Sequence, residues 1–261
     1  MKHPEGLAHD LLTLRLSRRR MLGLFGGAAL IPIIGGCTRS DAGVDASGTD
    51  GAASGTCTQV PQETAGPYPG DGTNGPNALT ETGIVRSDIR ASFGASTTVA
   101  AGVPLVITLT IVDKATCQPL AGHAVYLWHC DQVGRYSMYS SGVTGENYLR
   151  GVQETDESGQ VSFTTIYPGC YAGRWPHVHY EVFASLTDAT AGNRTVGVSQ
   201  LAMPEAACDA VYATSGYSAS VTNLSQITLA TDNVFSDGAT LEIPTVTANT
   251  SGYLATLTAA I

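Results

Sequence analysis

Short runs of β-branched and aromatic residues, separated by Gly, Pro, Asp and Ser, recur through most of the chain without any long helical periodicity. Such runs are typical of strands joined by turns. The predicted strands are residues 84–89, 105–112, 124–129, 161–166, 177–183, 196–203, 240–243 and 252–258. The second run is almost continuously apolar, as expected of a strand buried between two layers. The sequence therefore predicts an all-β fold, an antiparallel β-sandwich with long functional loops.

The beginning of the chain has the layout of an export signal. A twin-arginine pattern at residues 17–22 precedes an apolar run at 21–34 that is too short for a comfortable membrane-spanning helix. Cys37 follows Ile34-Gly-Gly, which favours a lipobox with Cys37 as the acylated first residue of the mature protein. Ordinary cleavage nearby, with Cys37 a stray thiol, is the alternative. We expect twin-arginine export of an envelope lipoprotein or of a secreted or periplasmic protein.

Composition then divides the rest of the chain into a tether and a domain. Residues 1–36 are the predicted signal peptide, and residues 37–56 are the cysteine followed by small and polar residues of the kind found in flexible linkers. Residues 57–261 are of a size typical of a single domain. We expect this domain to be the β-sandwich.

The charge of the chain argues against nucleic-acid binding. The 13 basic and 22 acidic residues give a net charge of −9, and five of the basic residues precede Cys37. Residues 37–261 therefore hold 8 basic and 20 acidic residues, with Lys114 as the only lysine. Such a segment has no basic surface with which to hold phosphates.

Five cysteines follow Cys37, and export permits disulfides between them. An odd number leaves at least one thiol free, and Cys130 is the expected free one because it ends an apolar run. The spacing does not fix the pairing of the other four. The preferred pairs are Cys57–Cys117 and Cys170–Cys208.

His177 and His179 are separated by one valine in a predicted strand. Alternate side chains of a strand share a face, so both imidazoles should point one way and Val178, Tyr180 and Val182 should point into the core. His177 follows Arg174 by three residues. Burying two imidazoles near an arginine costs free energy unless an anion or a metal ion lies there. Two histidines alone are a weak signal, and packed histidines are the alternative. His129 is expected to be a packed, hydrogen-bonded residue.

Several motifs raise the specificity of this signal because they occur in a fixed order. They are Trp128-His-Cys-Asp-x-x-Gly-Arg-Tyr136, Leu149-Arg-Gly-Val-Gln153, Thr155-Asp-x-x-Gly159, Thr165-Ile-Tyr-Pro-Gly169 and Arg174-Trp-Pro-His-Val-His179, with Thr64-Ala-Gly-Pro-Tyr68 before them and Val234-Phe-x-Asp-Gly238 after them. Together they resemble the intradiol ring-cleavage dioxygenases from about residue 57 to the last residue. The resemblance implies a sandwich with long active-site loops, and its exported, single-chain branch is the most similar.

That family uses a mononuclear non-haem Fe(III) held by two tyrosinates and two histidines. The resemblance implies the ligands Tyr136, Tyr171, His177 and His179, with Tyr171 as the tyrosinate that leaves when a catechol binds. Phenolates are hard anionic donors that suit a ferric ion. The implied reaction opens an aromatic diol with O2, between its two hydroxylated carbons, to a cis,cis-muconate-type diacid.

The resemblance also assigns residues around the metal. Arg174 would stabilise charge on the activated ring, and Gln200 would lie behind the site. The predicted substrate-binding residues are Gly66, Pro67, Tyr68 and Gln200, of which the first three would line the pocket. Oligomeric state and the identity of the diol stay open.

Two other hypotheses remain at this point. One is a copper-binding β-sandwich that uses the two histidines without phenolate ligands. The other is a non-catalytic sandwich module of the cell envelope. Replacing Tyr136 or Tyr171 by phenylalanine distinguishes them, because only the ferric dioxygenase depends on both phenols.

Overall fold

The computed structural model describes residues 57–261, and the predicted export signal, Cys37 and the tether lie outside the described residues. The strands are β1 Pro104–Val112, β2 Ala124–Trp128, β3 Arg150–Glu154, β4 Gln160–Ile166, β5 His177–Phe183, β6 Gly197–Ala202, β7 Thr245–Asn249 and β8 Gly252–Ala260. The helices are α1 Leu186–Thr190, α2 Glu205–Tyr212 and α3 Ser218–Leu224, with a 3-10 turn at Phe235–Asp237. Within residues 57–261, no helix is both long and apolar enough to cross a membrane.

The strands form two four-stranded sheets, as the predicted sandwich requires. The first sheet has the order β4-β1-β8-β7 and the second has the order β3-β2-β5-β6. All pairs are antiparallel except β1 and β8, which run parallel. The predicted all-β sandwich is therefore confirmed, with one parallel pair at the centre of the first sheet.

Strand β5 shows how alternation separates the core from the site. Val178, Tyr180 and Val182 are fully buried and pack in the main core with the apolar side chains of β1. His177 and His179 therefore point to the outer face of the second sheet. Loops and the segment before β1 cover this outer face, so both histidines are only 2% exposed.

Two of the eight predicted strands are wrong. Residues 84–89 bond alternately to edge strands of both sheets, since Arg86 N donates to Val152 O and Ile89 N donates to Thr164 O. A segment that divides its hydrogen bonds in this way forms isolated bridges instead of a ladder. Residues 240–243 form turns, and the last hairpin begins at β7. Strands β3 and β7 and the three helices were not predicted.

Of the two preferred disulfides, one is confirmed. Cys57 and Cys117 are bonded, which ties the start of the described chain to the turn after β1. The predicted Cys170–Cys208 bond is wrong, because both thiols are free and buried, as is Cys130. Cys170 Sγ lies 3.5 Å from Arg174 O, whereas Cys208 Sγ lies 3.3 Å from the Tyr167 hydroxyl.

Removing the disulfide in the variant Cys57→Ser/Cys117→Ser is expected to lower the free energy of unfolding by about 2–4 kcal/mol, because the bond closes a long loop. Its sequence separation is 60 residues. Urea unfolding of both proteins measures the difference. Reduction of the disulfide by dithiothreitol should lower the free energy of unfolding of the wild type towards that of the variant. Equal unfolding midpoints for the two oxidised proteins would contradict the expectation.

Candidate metal centre

Four side chains from three segments meet on the outer face of the second sheet. The Tyr136 hydroxyl lies 3.1 Å from His177 Nε2, and the Tyr171 hydroxyl lies 3.4 Å from the same nitrogen. His179 Nε2 is 3.1 Å from His177 Nε2. The structure thus brings together the four residues that the sequence proposed as ligands.

Two glycines let the tyrosine-bearing loops approach one another. A Cβ on Gly169, two residues before Tyr171, would lie 2.8 Å or less from the carbonyl oxygens of Asp131 and Gln132. Gly134, two residues before Tyr136, has φ +86°, and a Cβ there would lie 2.9 Å from Tyr171 Cβ. Glycine is required at both positions because any other side chain would force the two loops apart.

Asp131 shapes the turn that presents Tyr136. One of its oxygens accepts hydrogen bonds from the backbone N–H groups of Val133 and Arg135, each at 3.0 Å. The other accepts from Arg135 Nε at 2.9 Å and from the Tyr148 hydroxyl at 3.1 Å. A carboxylate with four donors holds the turn in one conformation.

Hydrogen bonds and stacking orient the two imidazoles. His177 Nδ1 donates to Trp175 O at 2.6 Å, which leaves Nε2 as the lone-pair nitrogen facing the cluster. Carbonyl partners of this kind fix metal-binding histidines in many proteins. The ring of His179 stacks on Trp128 at 4.9 Å and 3°. Both rings therefore present Nε2 to the same point.

Burial makes this cluster resist charge. It raises the pKa of Tyr136 well above its ordinary value, and the neighbouring Tyr171 adds to the rise. Burial also lowers the pKa values of His177 and His179 well below the ordinary value, assisted by His177 for His179 and by Arg174 for both. Neutral imidazoles are the form that binds metals, and a bound cation reverses the effect of burial on the phenols.

The donor set fits a metal ion. First-row cations hold nitrogen and oxygen ligands at about 2.0–2.2 Å, which places neighbouring donors about 3 Å apart, close to the separations in this cluster. Among residues 57–261, no group of three or more His, Cys, Asp or Glu side chains could hold a metal ion. The two histidines here are instead completed by two phenols, which as anions favour a ferric ion.

Arg174 lies beside the cluster, and two buried side chains hold its guanidinium. Its Nε donates to Asp232 Oδ2 at 2.9 Å, and its Nη2 donates to Gln200 Oε1 at 2.8 Å. Gln200 in turn donates from Nε2 to Thr64 O at 2.8 Å. Asp232 was not singled out from the sequence, because a single acid far along the chain gives no sign of its partner.

The arm, residues 64–70, crosses the outer face beside the cluster and carries the predicted pocket residues. Gly66 has φ +69°, and a Cβ there would lie 3.2 Å from His179 Cε1. The Tyr68 ring packs on Tyr136 at 4.8 Å. Pro67 is buried, and its carbonyl accepts a hydrogen bond from Asn74. The structure therefore places Gly66 and Tyr68 next to the proposed ligands.

His129 is a packed histidine, as predicted. Its ring nitrogens lie 2.8 Å from Cys130 O and 2.7 Å from Thr165 Oγ1, and burial lowers its pKa to about 4. An unfolded histidine has a pKa of about 6.5. As the pH falls from about 6.5 towards 4, His129 is protonated in the unfolded state but stays neutral in the folded state. Acidification over this range therefore favours unfolding.

We expect His129 alone to lower the free energy of unfolding by up to about 3 kcal/mol across this pH range. Urea unfolding of metal-free wild type and His129→Gln at pH 7 and pH 5 measures it, and the variant should lose less stability on acidification. His123→Gln, which changes a partly exposed ring, is the matched control. The same pH dependence in wild type and His129→Gln would refute the assignment.

The chain is similar to known dioxygenases in sequence and in structure. A family model described as dioxygenase matches residues 74–191. The intradiol ring-cleavage dioxygenase from Tetranychus urticae superposes with a TM-score of 0.63 at 26% identity, covering 78% of this chain and 95% of that chain. A comparison with curated protein sequences gave no match.

A second structure supports the fold alone. It is the dioxygenase domain of a dioxygenase carbohydrate-binding protein fusion from Streptomyces sp. SirexAA-E, with a TM-score of 0.50 at 22% identity over 78% of this chain and 98% of that chain. Taken together, the family model and the Tetranychus structure confirm the resemblance to the intradiol ring-cleavage dioxygenases, and they support an oxygenase of this kind.

Proposed function

We propose that the protein is a ferric, non-haem dioxygenase that opens a catechol-type diol between its two hydroxylated carbons. The observation that carries the proposal is the convergence of two phenols and two imidazoles on one buried point. Separations of 3.1–3.4 Å join these donors through His177 Nε2. No carboxylate belongs to the set, which distinguishes it from the sites typical of ferrous oxygenases.

Tyr136, Tyr171, His177 and His179 would hold the ion. When bound there, Fe(III) would supply the Lewis acidity that favours the dianion of the diol and the reactivity of its ring towards O2. Both oxygen atoms enter the product, the bond between the hydroxylated carbons breaks, and the diacid contains all the atoms of the diol and O2.

The chain's own contribution begins with proton transfer. Tyr171 is only partly buried, whereas Tyr136 is 1% exposed. Tyr171 is therefore the phenol that an incoming diol reaches. Its Oη accepts one of the two hydroxyl protons of the diol, and a hydroxide ion from solvent would take the other. The role of Tyr171 requires its oxygen to be anionic beforehand.

Arg174 supplies fixed positive charge next to the reacting ring. The side chain is 2% exposed and is held by Asp232 and Gln200. A cation held in this way stabilises a diol dianion without having to reorient during the reaction. Gly66 and Tyr68 would border the diol on the side of the arm, since Gly66 touches His179 and Tyr68 packs on Tyr136.

Oxygen uptake and product analysis test the proposal. Iron-loaded protein is expected to consume one O2 per catechol and to give a ring-opened diacid that carries both atoms of ¹⁸O2. Formation of a quinone without incorporation of oxygen, or cleavage outside the two hydroxylated carbons, would overturn it. Copper at full occupancy would favour the copper-binding module, and binding without turnover would favour a non-catalytic one.

We also propose that the protein works outside the cytoplasm, held at the envelope through Cys37. The twin-arginine pattern supports export, and the Cys57–Cys117 disulfide is of the kind that persists in oxidising compartments. Cys37→Ser should move the protein from the membrane fraction to the soluble fraction. An unchanged distribution would exclude acylation as the anchor.

A further inference from the structure

Arg150 is a buried cation that no carboxylate neutralises. It is the first residue of β3 and is 1% exposed. Within residues 57–261, the ion pairs join Arg90, Arg135 and Arg174 to aspartates and do not include Arg150. A buried guanidinium without a counter-ion requires full hydrogen bonding to be tolerated.

Every N–H group of Arg150 meets this requirement. Nε donates to Ser137 Oγ at 3.1 Å. Nη1 donates to Pro69 O at 2.7 Å and to the Tyr126 hydroxyl at 3.0 Å. Nη2 donates to Tyr68 O and to Ser137 O, both at 3.0 Å. The five donors of the guanidinium are thus all used, and three of the acceptors are backbone carbonyls.

Four of these five acceptors belong to two segments that border the proposed active site, and the fifth, the Tyr126 hydroxyl, lies on β2. Tyr68 and Pro69 belong to the arm, whereas Ser137 directly follows the proposed ligand Tyr136. One side chain therefore joins a wall of the pocket to a loop that carries a ligand. Arg150 itself makes no hydrogen bond to any of the four proposed ligands.

The arm is not part of either sheet. Side chains therefore hold most of it, and a backbone hydrogen bond from Ala78 N to Gly70 O joins its last residue to the turn that follows. Gln200 holds one end by donating to Thr64 O, and Arg150 holds the other end at Tyr68 and Pro69. Gly66, which touches His179, lies between these two attachments. Losing either attachment would loosen the segment that faces the substrate, while Pro69 O would keep the hydrogen bond that it accepts from the Tyr126 hydroxyl at 2.7 Å.

Glycine at the end of the arm lets the guanidinium approach. Gly70 has φ +64°, and a Cβ there would lie 2.7 Å from Arg150 Nη1. Gly70 N donates to the Tyr139 hydroxyl at 2.8 Å, and the Arg150 guanidinium lies 5.5 Å from the centre of the Tyr139 ring. The Arg150 guanidinium and Tyr139 thus hold this end of the arm together.

We infer that Arg150 is a positioning residue that locks the arm and the Tyr136 loop into one preformed pocket wall before substrate binds. The catalytic consequence rests on the proposed function, whereas the order of the arm does not. Arginine is suited to the task because its planar fork reaches several carbonyls at once, which the single ammonium group of lysine cannot do.

Hydrogen exchange of the metal-free protein tests the positioning directly. In Arg150→Met, the backbone amides of Gly66, Tyr68 and Gly70, the non-proline residues of this stretch, are expected to exchange at least about tenfold faster than in the wild type, since local opening of the arm no longer breaks the bonds to the guanidinium. Arg150→Lys should give an intermediate rate, and it carries the test if the methionine variant does not fold.

The matched control is Phe163→Leu, which weakens the core between the sheets without touching the arm. Variants are compared under conditions of equal global stability. Exchange in the arm that is no faster in Arg150→Met or Arg150→Lys than in Phe163→Leu would overturn the inference, because Arg150 would then be only a packing residue.

Kinetics of iron-loaded protein give the second readout. Arg150→Met is expected to raise KM for catechol by about tenfold or more and to lower kcat less, because the substrate must then order the arm as it binds. The tyrosinate-to-iron absorption band in the visible spectrum should remain, since the four proposed metal ligands are intact.

A colourless, inactive wild type would refute the proposed function alone, while the exchange result would still decide the role of Arg150. Unchanged KM with faster exchange would restrict Arg150 to ordering the free protein and overturn its role in substrate binding.

Discussion

Replacing Tyr171 by phenylalanine lowers the turnover of catechol by at least about 100-fold, the usual minimum contribution of a positioned acid or base. The change removes only Oη, which lies 3.4 Å from His177 Nε2. The ring can keep its packing, 5.6 Å from His177 and 5.8 Å from Tyr136. Loss of activity would therefore reflect the missing ligand and proton acceptor, and initial rates of oxygen uptake measure it.

Tyr253→Phe is the matched control for this change. Tyr253 lies on β8, in the sheet that does not carry the site, and packs 5.8 Å from Tyr167. Tyr253→Phe also removes one hydroxyl group, but it should leave the turnover of catechol unchanged. If Tyr171→Phe retained more than about a tenth of the wild-type rate, Tyr171 would not be the residue that receives the proton of the diol.

Asp232→Asn lowers the free energy of unfolding by about 3–5 kcal/mol, the range found when one partner of a buried ion pair is removed. The pair is almost fully buried, with side chains 2% and 0% exposed. Asp232 Oδ2 also accepts from Trp175 N at 2.7 Å, and Oδ1 accepts from Val234 N and Phe235 N. An amide keeps the volume but replaces one of these two acceptor oxygens by a donor.

Urea unfolding measures the loss, and oxygen uptake should fall with it because Arg174 is no longer held. Asp237→Asn is the control, since this aspartate lies five residues further on and is exposed. A loss below about 1 kcal/mol would mean that the ion pair is no more than a surface pair in energy. It would also remove the reason for treating Arg174 as fixed.

Strands whose residues alternate between buried and site-facing side chains could be predicted from the local sequence. Alternation in residues 177–183 predicted β5 and the faces of its side chains, and both agree with the structure. Residues 84–89 have the composition of a strand, but they lie between edge strands of two sheets and bond to each in turn. That outcome depends on packing of distant segments, which local propensity does not contain.

The same distinction applies to the site. Tyr136, Tyr171, His177 and His179 were identified through ordered motifs, and the structure places them together. Gln200, which holds Arg174 and the arm, was identified in the same way, but Asp232 and the role of Arg150 were not. Asp232 is 58 positions from Arg174, and Arg150 is 82 positions from Tyr68. Their roles are contacts between segments, so nothing within either segment predicts them.

The visible spectrum of iron-loaded protein, before and after anaerobic addition of catechol, tests the central claim most directly. We expect a tyrosinate-to-iron absorption band that shifts when catechol binds, and we expect Tyr136→Phe and Tyr171→Phe each to lose part of it. This result would establish phenolate ligation and substrate binding at one ion. A protein that is colourless at full iron occupancy would contradict the account.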